Sequence, residues 1–122
     1  MRKYLLHVLI ISIFSLVLFT SPFVSAQSHK LADEYWDKAN ELQKQGKYPE
    51  AAKMFEKSVQ AEKASPSPRM QALPFQLNAA GYFCNLVGQY DKAIKYYEEA
   101  LAILKKLEME GLYGQGRGQK FS

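Results

Sequence analysis

The side chains that most often catalyse reactions or bind metals are scarce in this sequence. Histidine occurs twice, as His7 and His29, and cysteine once, as Cys84. One histidine and one cysteine beyond the N-terminal region cannot supply the ligands that a zinc ion requires. They also offer no pairing of a nucleophile with a base. The sequence therefore predicts a chain that is not an enzyme and holds no metal and no cofactor.

Two short patterns resemble chemical motifs but lack the required context. The glycines of Gly114-x-Gly116-x-Gly118 neither follow a strand nor open a helix, as a phosphate-binding loop would. Glu98-Glu99 lies in a helical stretch, where we expect a solvated helix face. Cys84 falls on the inward stripe of its helix, where we expect a buried small hydrophobic residue. With these motifs excluded, the sequence favours a function in binding through the protein surface.

One short sequence motif, Gly-x-Tyr, occurs just before a helical pattern at two places in the chain. Gly46-Lys47-Tyr48 precedes one helical pattern, and Gly88-Gln89-Tyr90 precedes another. We call the separation along the chain from Gly46 to Gly88 the repeat step. A fixed step of this size indicates a repeat protein. At the repeat step, small residues pair with small ones and bulky residues with bulky ones: Ala39 with Gly81, Ala51 with Ala93, Phe55 with Tyr97, and Ser58 with Ala100.

The periodicity predicts four helices in two hairpins. Apolar residues mark one face of a helix over Leu31–Gln45, and Gly46 ends that helix. The second helix carries Pro49 in its first turn and stops before Ser65. The third ends at Gly88, and the fourth runs from Asp91 to about Glu110.

The start of the third helix has two interpretations. Ser67 and Pro68 could open a long helix, which Pro74 would then kink. Alternatively, the helix begins near Pro74. The long version matches the repeat step better, and we favour it.

The corner Gly-x-Tyr-x-x-Ala, with an aromatic and a small residue after it at helical spacing, resembles the tetratricopeptide repeat. The resemblance covers residues 31–64 and 74–107 and implies an all-α fold of two helical hairpins. The repeat step is longer than is usual in the family and is similar to that of kinesin light chain-like repeats and of bacterial repeats that precede CHAT peptidase domains. The family's concave groove, lined by the first helix of each hairpin, binds proteins or peptides. The matching positions here are Asp33, Trp36, Asn40, Gln43, Asn78, Tyr82 and Asn85.

The N-terminus has the three regions of a secretory signal peptide. Arg2 and Lys3 precede an apolar run from Leu5 to Phe19, and Val24-Ser25-Ala26 supplies small residues. We expect cleavage after Ala26 and a periplasmic or secreted product, with no membrane association after removal. The alternative is a chain anchored by the uncleaved segment, although the apolar core is shorter than the ~20 residues that span a bilayer.

Three regions follow from these boundaries: a signal peptide at 1–26, a two-repeat domain at 27–110, and a glycine-rich tail at 111–122 that we expect to be disordered. Within the domain, repeat one covers about 31–64 and repeat two about 67–110. Removing Arg2 and Lys3 with the signal lowers the formal net charge from +4 by two. The remaining charges are interspersed, which disfavours a nucleic-acid partner.

Two functional hypotheses follow. The first is an exported scaffold that binds an unidentified protein or peptide in its groove. The second is a shortened form of a longer repeat array, for example of an exported peptidase, which acts only by self-association or assembly. The apolar arc of the fourth helix is wider than one-sided packing needs. We therefore expect Ile103 and Leu107 to be exposed beside Ala100 and to support a homodimer.

Overall fold

The computed structural model describes residues 2–111, with every side chain in that range except those of Leu6 and residues 9–23. Consecutive helices pack against one another, α1 on α2, α2 on α3 and α3 on α4. The all-α prediction is confirmed, and residues 2–111 include no strand. The four helices are α1 (Arg2–Lys44), α2 (Tyr48–Ala64), α3 (Leu73–Leu86) and α4 (Tyr90–Met109).

Each hairpin turns at a glycine in the left-handed conformation. Gly46 has φ of +73° and Gly88 has φ of +83°. At the first corner the amide of Lys47 donates to the carbonyl of Leu42 at 2.9 Å, and that of Gly46 to Gln43 at 2.9 Å. These two bonds satisfy carbonyls that the end of α1 would otherwise leave unpaired. The corner at Gly88 has the same pair of hydrogen bonds, one repeat step later.

The third helix is the shorter of the two alternatives, so the favoured long helix from Pro68 is wrong. α3 begins at Leu73, which places Pro74 in its first turn. There the missing N–H of proline costs no helical hydrogen bond, whereas a helix from Pro68 would have put Pro74 in the interior. The preceding linker is held by the amide of Arg69, which donates to Glu62 Oε1 at 2.7 Å.

The first helix starts much earlier than the periodicity indicated. α1 runs without interruption from Arg2, so the predicted signal segment and the first repeat share one helix. Its middle contacts the linker after α2, where Ser25 Oγ lies 3.0 Å from Ser65 Oγ and His29 Nε2 lies 3.0 Å from the carbonyl oxygen of Ser67. Outside the stretch of α1 whose side chains are not described, no helix among the described residues is long and apolar enough to cross a membrane. Apart from Gly111, the predicted tail lies outside the described residues.

Small residues let the helices approach closely, as the sequence predicted. Ala39 and Ala51 are fully buried, and Phe55 stacks on Phe83 with ring centroids 4.9 Å apart. A Cβ atom at Gly81 would lie 3.0 Å from Cε1 of Tyr97, which is tighter than normal packing allows. α3 and α4 therefore cross where a side chain has no room.

The predicted exposure of Ile103 and Leu107 is wrong. Leu107 is only 4% exposed, Ala100 is 1% exposed, and Ile103 packs against the core. Ala93, Ala100 and Leu107 recur at every seventh position and so lie on one side of α4, which faces the core. The exposed apolar residues of α4 lie elsewhere on the helix, and they do not include the three that we expected to drive self-association.

Candidate functional site

Seven side chains were predicted to line the concave groove, and the structure separates them. Trp36 and Asn40 are partly buried on α1, whereas Gln43 is exposed. On α3, Asn78, Tyr82 and Asn85 are all exposed. Of the seven, Asp33 and Trp36 line a cleft to which α1 and α3 both contribute.

This cleft has a volume of about 210 Å³ and is formed by α1, the linker after α2, and the start of α3. We call it the Trp36 cleft. It is open to solvent on one side, and apolar atoms form most of its walls. Its lining residues are Asp33, Trp36, Arg69, Ala72, Phe75 and Gln76.

Two aromatic side chains supply the apolar part of the Trp36 cleft. The indole of Trp36 meets the buried ring of Phe55 edge-on, with centroids 5.0 Å apart and an angle of 72° between the planes. This contact fixes the orientation of the indole. Phe75 is 59% exposed, so much of its ring remains available to a ligand.

Arg69 ties the cleft to the core by bridging two carboxylates. Its guanidinium lies 2.6 Å from Glu62 Oε2 and 2.8 Å from Asp33 Oδ1. Burial alone would raise the pKa of the Glu62 carboxyl, but the side-chain and backbone hydrogen bonds from Arg69 outweigh it and hold the pKa below its ordinary value. The hydrogen bonds that Arg69 donates to Glu62, and then those to Asp33, raise the pKa of Arg69 in turn. The Arg69–Glu62 pair therefore stays fully charged at neutral pH.

Gln76 adds a buried amide to the same place. Its side chain is 6% exposed, and Nε2 donates to Glu62 Oε2 at 3.5 Å. Its Oε1 atom has no hydrogen-bond partner among the described residues. A buried carbonyl left unpaired costs about 1–3 kcal/mol of stability.

The remaining predicted groove residues lie outside the Trp36 cleft. Asn40 and Gln43 line an open polar depression together with Asp37, Glu41 and Lys44, all from α1. On α3, the ring of Tyr82 contacts that of Phe83 edge-on, with ring centroids 5.2 Å apart. Tyr82 is nevertheless 51% exposed. These residues lie on the open surface around the Trp36 cleft and do not form a second cleft between helices.

The sequence did not predict four of the cleft residues: Arg69, Ala72, Phe75 and Gln76. Phe75 follows Asp33 by one repeat step, so carrying the first groove position into the second repeat would have found it. Arg69 lies in the linker, where no periodicity operates. Its role depends on its pairing with Glu62, which local sequence does not reveal.

Cys84 belongs to a structural cluster rather than to a reactive site. It is fully buried, as predicted, and its Sγ lies 3.6 Å from Glu56 Oε1. Burial, and then the charge of Glu56, raise the pKa of its thiol to about 11. Glu56 also accepts hydrogen bonds from Tyr96 Oη at 2.8 Å and Lys92 Nζ at 3.1 Å. Across the described residues, histidine, cysteine and acidic side chains form no group of three that could hold a metal ion.

Comparison with known protein families gives one result that accounts for this architecture. The tetratricopeptide repeat model matches residues 35–106, which is more than half of the chain. The chain belongs to the tetratricopeptide repeat family. Searches of the curated proteins and of the solved structures found no match. Tetratricopeptide repeats are typically non-catalytic scaffolds that mediate protein interactions, so a protein partner is the expectation for this tetratricopeptide domain.

Proposed function

We propose that this tetratricopeptide protein is an exported, non-enzymatic scaffold that binds a peptide segment of another protein in the Trp36 cleft. The observation that carries the proposal is the pairing of the fixed indole of Trp36 with the exposed ring of Phe75, beside the Arg69–Asp33 ion pair. Aromatic rings offer large contact areas with little loss of entropy on binding.

The residues of the cleft indicate the kind of segment that fits. An apolar side chain would pack between the two rings. A basic group would approach Asp33, whose side chain is 58% exposed. The cleft volume of about 210 Å³ accommodates one or two side chains. The exposed surface at Tyr82 and Asn78 would contact the flanking residues of the peptide.

Selection of peptides followed by paired variants tests the site. Random peptides displayed on phage are selected on the purified chain, and the affinity of the best peptide is measured by calorimetry. Phe75→Ser should weaken binding about tenfold, because the change removes an apolar contact of about 1.4 kcal/mol. Leu86→Ser is the matched control, since Leu86 is 47% exposed at the other end of α3. Equal affinities of the two variants would place the site outside the cleft.

Export is supported by the charge and apolarity pattern of the segment from Met1 to Ala26. Cleavage after Ala26 would remove the Ser25 contacts to the linker and leave His29 in place beside Ser67. Intact-mass measurement of protein from the medium or cell envelope tests this part of the proposal. A product that begins at Gln27 is the expected result. A species that retains Arg2 and Lys3 would contradict it.

A further inference from the structure

One cation at the Trp36 cleft is shared between two carboxylates. Arg69 donates to the buried Glu62 through its backbone amide at 2.7 Å and through Nη2 at 2.6 Å. Its contact with the exposed Asp33 has one short distance of 2.8 Å and one long distance of 3.4 Å. His29 Nε2 lies 3.5 Å from Glu62 Oε1, so it adds to the partners of Glu62 and not to those of Asp33. The charge of Arg69 therefore serves mainly Glu62, and Asp33 stays open to a second cation from the solvent side.

This open carboxylate lies beside the aromatic walls of the cleft. Asp33 and Trp36 are three positions apart on α1, a spacing that places Cβ atoms about 5–6 Å apart on one helix face. Phe75 of α3 lines the same cleft with an exposed ring. Because the cleft has a volume of only about 210 Å³, a single ligand side chain can contact both the carboxylate and the rings.

A long basic side chain suits this combination better than a purely apolar one. Lysine and arginine pack their apolar stems along apolar surface while the charged group stays near water, and the cleft is open to solvent on one side. A cation close to the face of an aromatic ring is also attracted by the ring. An acidic side chain in the same place would be repelled by Asp33.

We propose that the Trp36 cleft selects peptides by a lysine or arginine side chain, whose stem packs on Trp36 and Phe75 and whose charged group pairs with Asp33. This inference rests on the proposed function and deepens it, because one residue of the peptide both packs on the rings and neutralises Asp33. Asp33 is then the residue that determines specificity. The formal net charge of the chain is +4, so overall attraction would favour acidic peptides and cannot imitate this preference.

Peptides selected by phage display on the purified chain give the first result. They should share a lysine or an arginine at one position, with uncharged residues at its sides. A selected set without a shared basic residue would contradict the proposal.

Calorimetry with two versions of a selected peptide then measures the contribution of the charge. One version carries lysine at the shared position, and the other carries norleucine, which keeps the apolar stem but lacks the charge. The lysine version should bind the wild type about fivefold more tightly, a modest ratio because Asp33 is exposed. In Asp33→Asn the ratio should fall below about twofold. Arg69 remains attached to Glu62 in this variant, so the cleft keeps its walls.

Asp37→Asn is the matched control. Asp37 is exposed one turn further along α1 and lines the open polar depression, not the cleft. The substitution changes the net charge by the same amount and should preserve the ratio of about fivefold. The proposal is wrong if the norleucine version binds the wild type as tightly as the lysine version, or if the two variants lower the ratio equally.

Phe75→Ser separates this proposal from the proposed function. If the cleft binds the peptide, Phe75→Ser weakens both versions, whether or not the charge is recognised. A loss of affinity in Phe75→Ser without a preference for lysine would therefore contradict the selection of a basic residue and leave the binding site in place.

The residues after Gly111 include two basic side chains, Arg117 and Lys120, which could compete with a peptide for Asp33. Replacing both by glutamine in the full chain should leave the affinity for the lysine version unchanged. A tighter affinity in that variant would show that the chain itself supplies the basic residue, and the assignment to a partner would be wrong.

Discussion

Replacing Glu62 by glutamine is the substitution whose consequence the structure defines best. Glu62 is completely buried, and its carboxylate accepts hydrogen bonds from the backbone amide and the guanidinium of Arg69. Glutamine preserves the volume but removes the charge, and it places an amide group where donors from Arg69 and Gln76 converge. The linker between α2 and α3 then loses its main attachment to the core.

The magnitude follows from the burial of the two partners. Removing one member of a fully buried ion pair costs about 3–5 kcal/mol. Arg69 is 36% exposed and keeps its contact with Asp33 at 2.8 Å, so solvent and Asp33 compensate for part of the loss. We therefore expect a loss of about 2–3 kcal/mol. In a domain of this size, that corresponds to a fall in melting temperature of roughly 10–20 °C.

The pH dependence of this loss provides a second test. The pKa of Glu62 lies below its ordinary value of 4.5 in the folded chain. A lowered pKa contributes stability that is present above the ordinary value and disappears as the pH falls through the folded value. The difference between wild type and Glu62→Gln should therefore be full at pH 7 and should shrink as the pH falls below the ordinary value of 4.5.

Thermal unfolding followed by circular dichroism, from pH 7 down to pH 3, measures both effects. Glu41→Gln is the control, because Glu41 is exposed on α1 and its neutralisation should change little. Equal melting temperatures for Glu62→Gln and the control at pH 7 would refute the reasoning. A difference that stays constant with acidity would refute its electrostatic part.

The remaining predictions concern three other positions. Gly81→Leu should destabilise the second hairpin by about 1–3 kcal/mol, and circular dichroism should show Gly81→Ala to be milder, since the exposed ring of Tyr97 can shift by a few tenths of an ångström. Cys84 should react slowly with a thiol reagent at pH 8 and rapidly in urea, because burial raises its pKa to about 11; rapid reaction of the folded chain would contradict this. Tyr82→Ala should weaken a selected peptide with unchanged helicity, and unaltered affinity would confine the site to the cleft.

Much of the fold could be predicted from the sequence because the repeat is local. Gly46 and Gly88 lie where the backbone adopts the left-handed conformation that ends a helix, which favours glycine. Ala51 and Ala93 lie where two helices are in close contact. Such features depend on the immediate neighbours of a residue in the chain. The start of α3 was harder to predict because Pro68 and Pro74 both suit a first turn. The tertiary contact of Arg69 with Glu62 decides between them.

The candidate site was predicted less well, since groove positions were carried over from the first helix of each hairpin alone. Trp36 was found in this way, but Arg69 comes from a linker and reaches the cleft only through a buried partner. The sequence showed that α4 has a wide apolar arc, but the prediction placed the side with Ile103 and Leu107 in solvent, and that side packs on the core. Leu107 faces the core and Leu101 faces solvent, a choice that depends on how α4 is rotated against α3.

The emission of Trp36 tests the central proposal most directly, because it is the only tryptophan in the chain and lines the proposed cleft. Titrating a selected peptide that lacks tryptophan into the purified chain should shift the emission to shorter wavelength, with the same dissociation constant that calorimetry gives. Phe75→Ser should weaken the response and Leu86→Ser should not. A peptide that binds by calorimetry without altering Trp36 emission, in wild type and in both variants, would contradict binding in the Trp36 cleft.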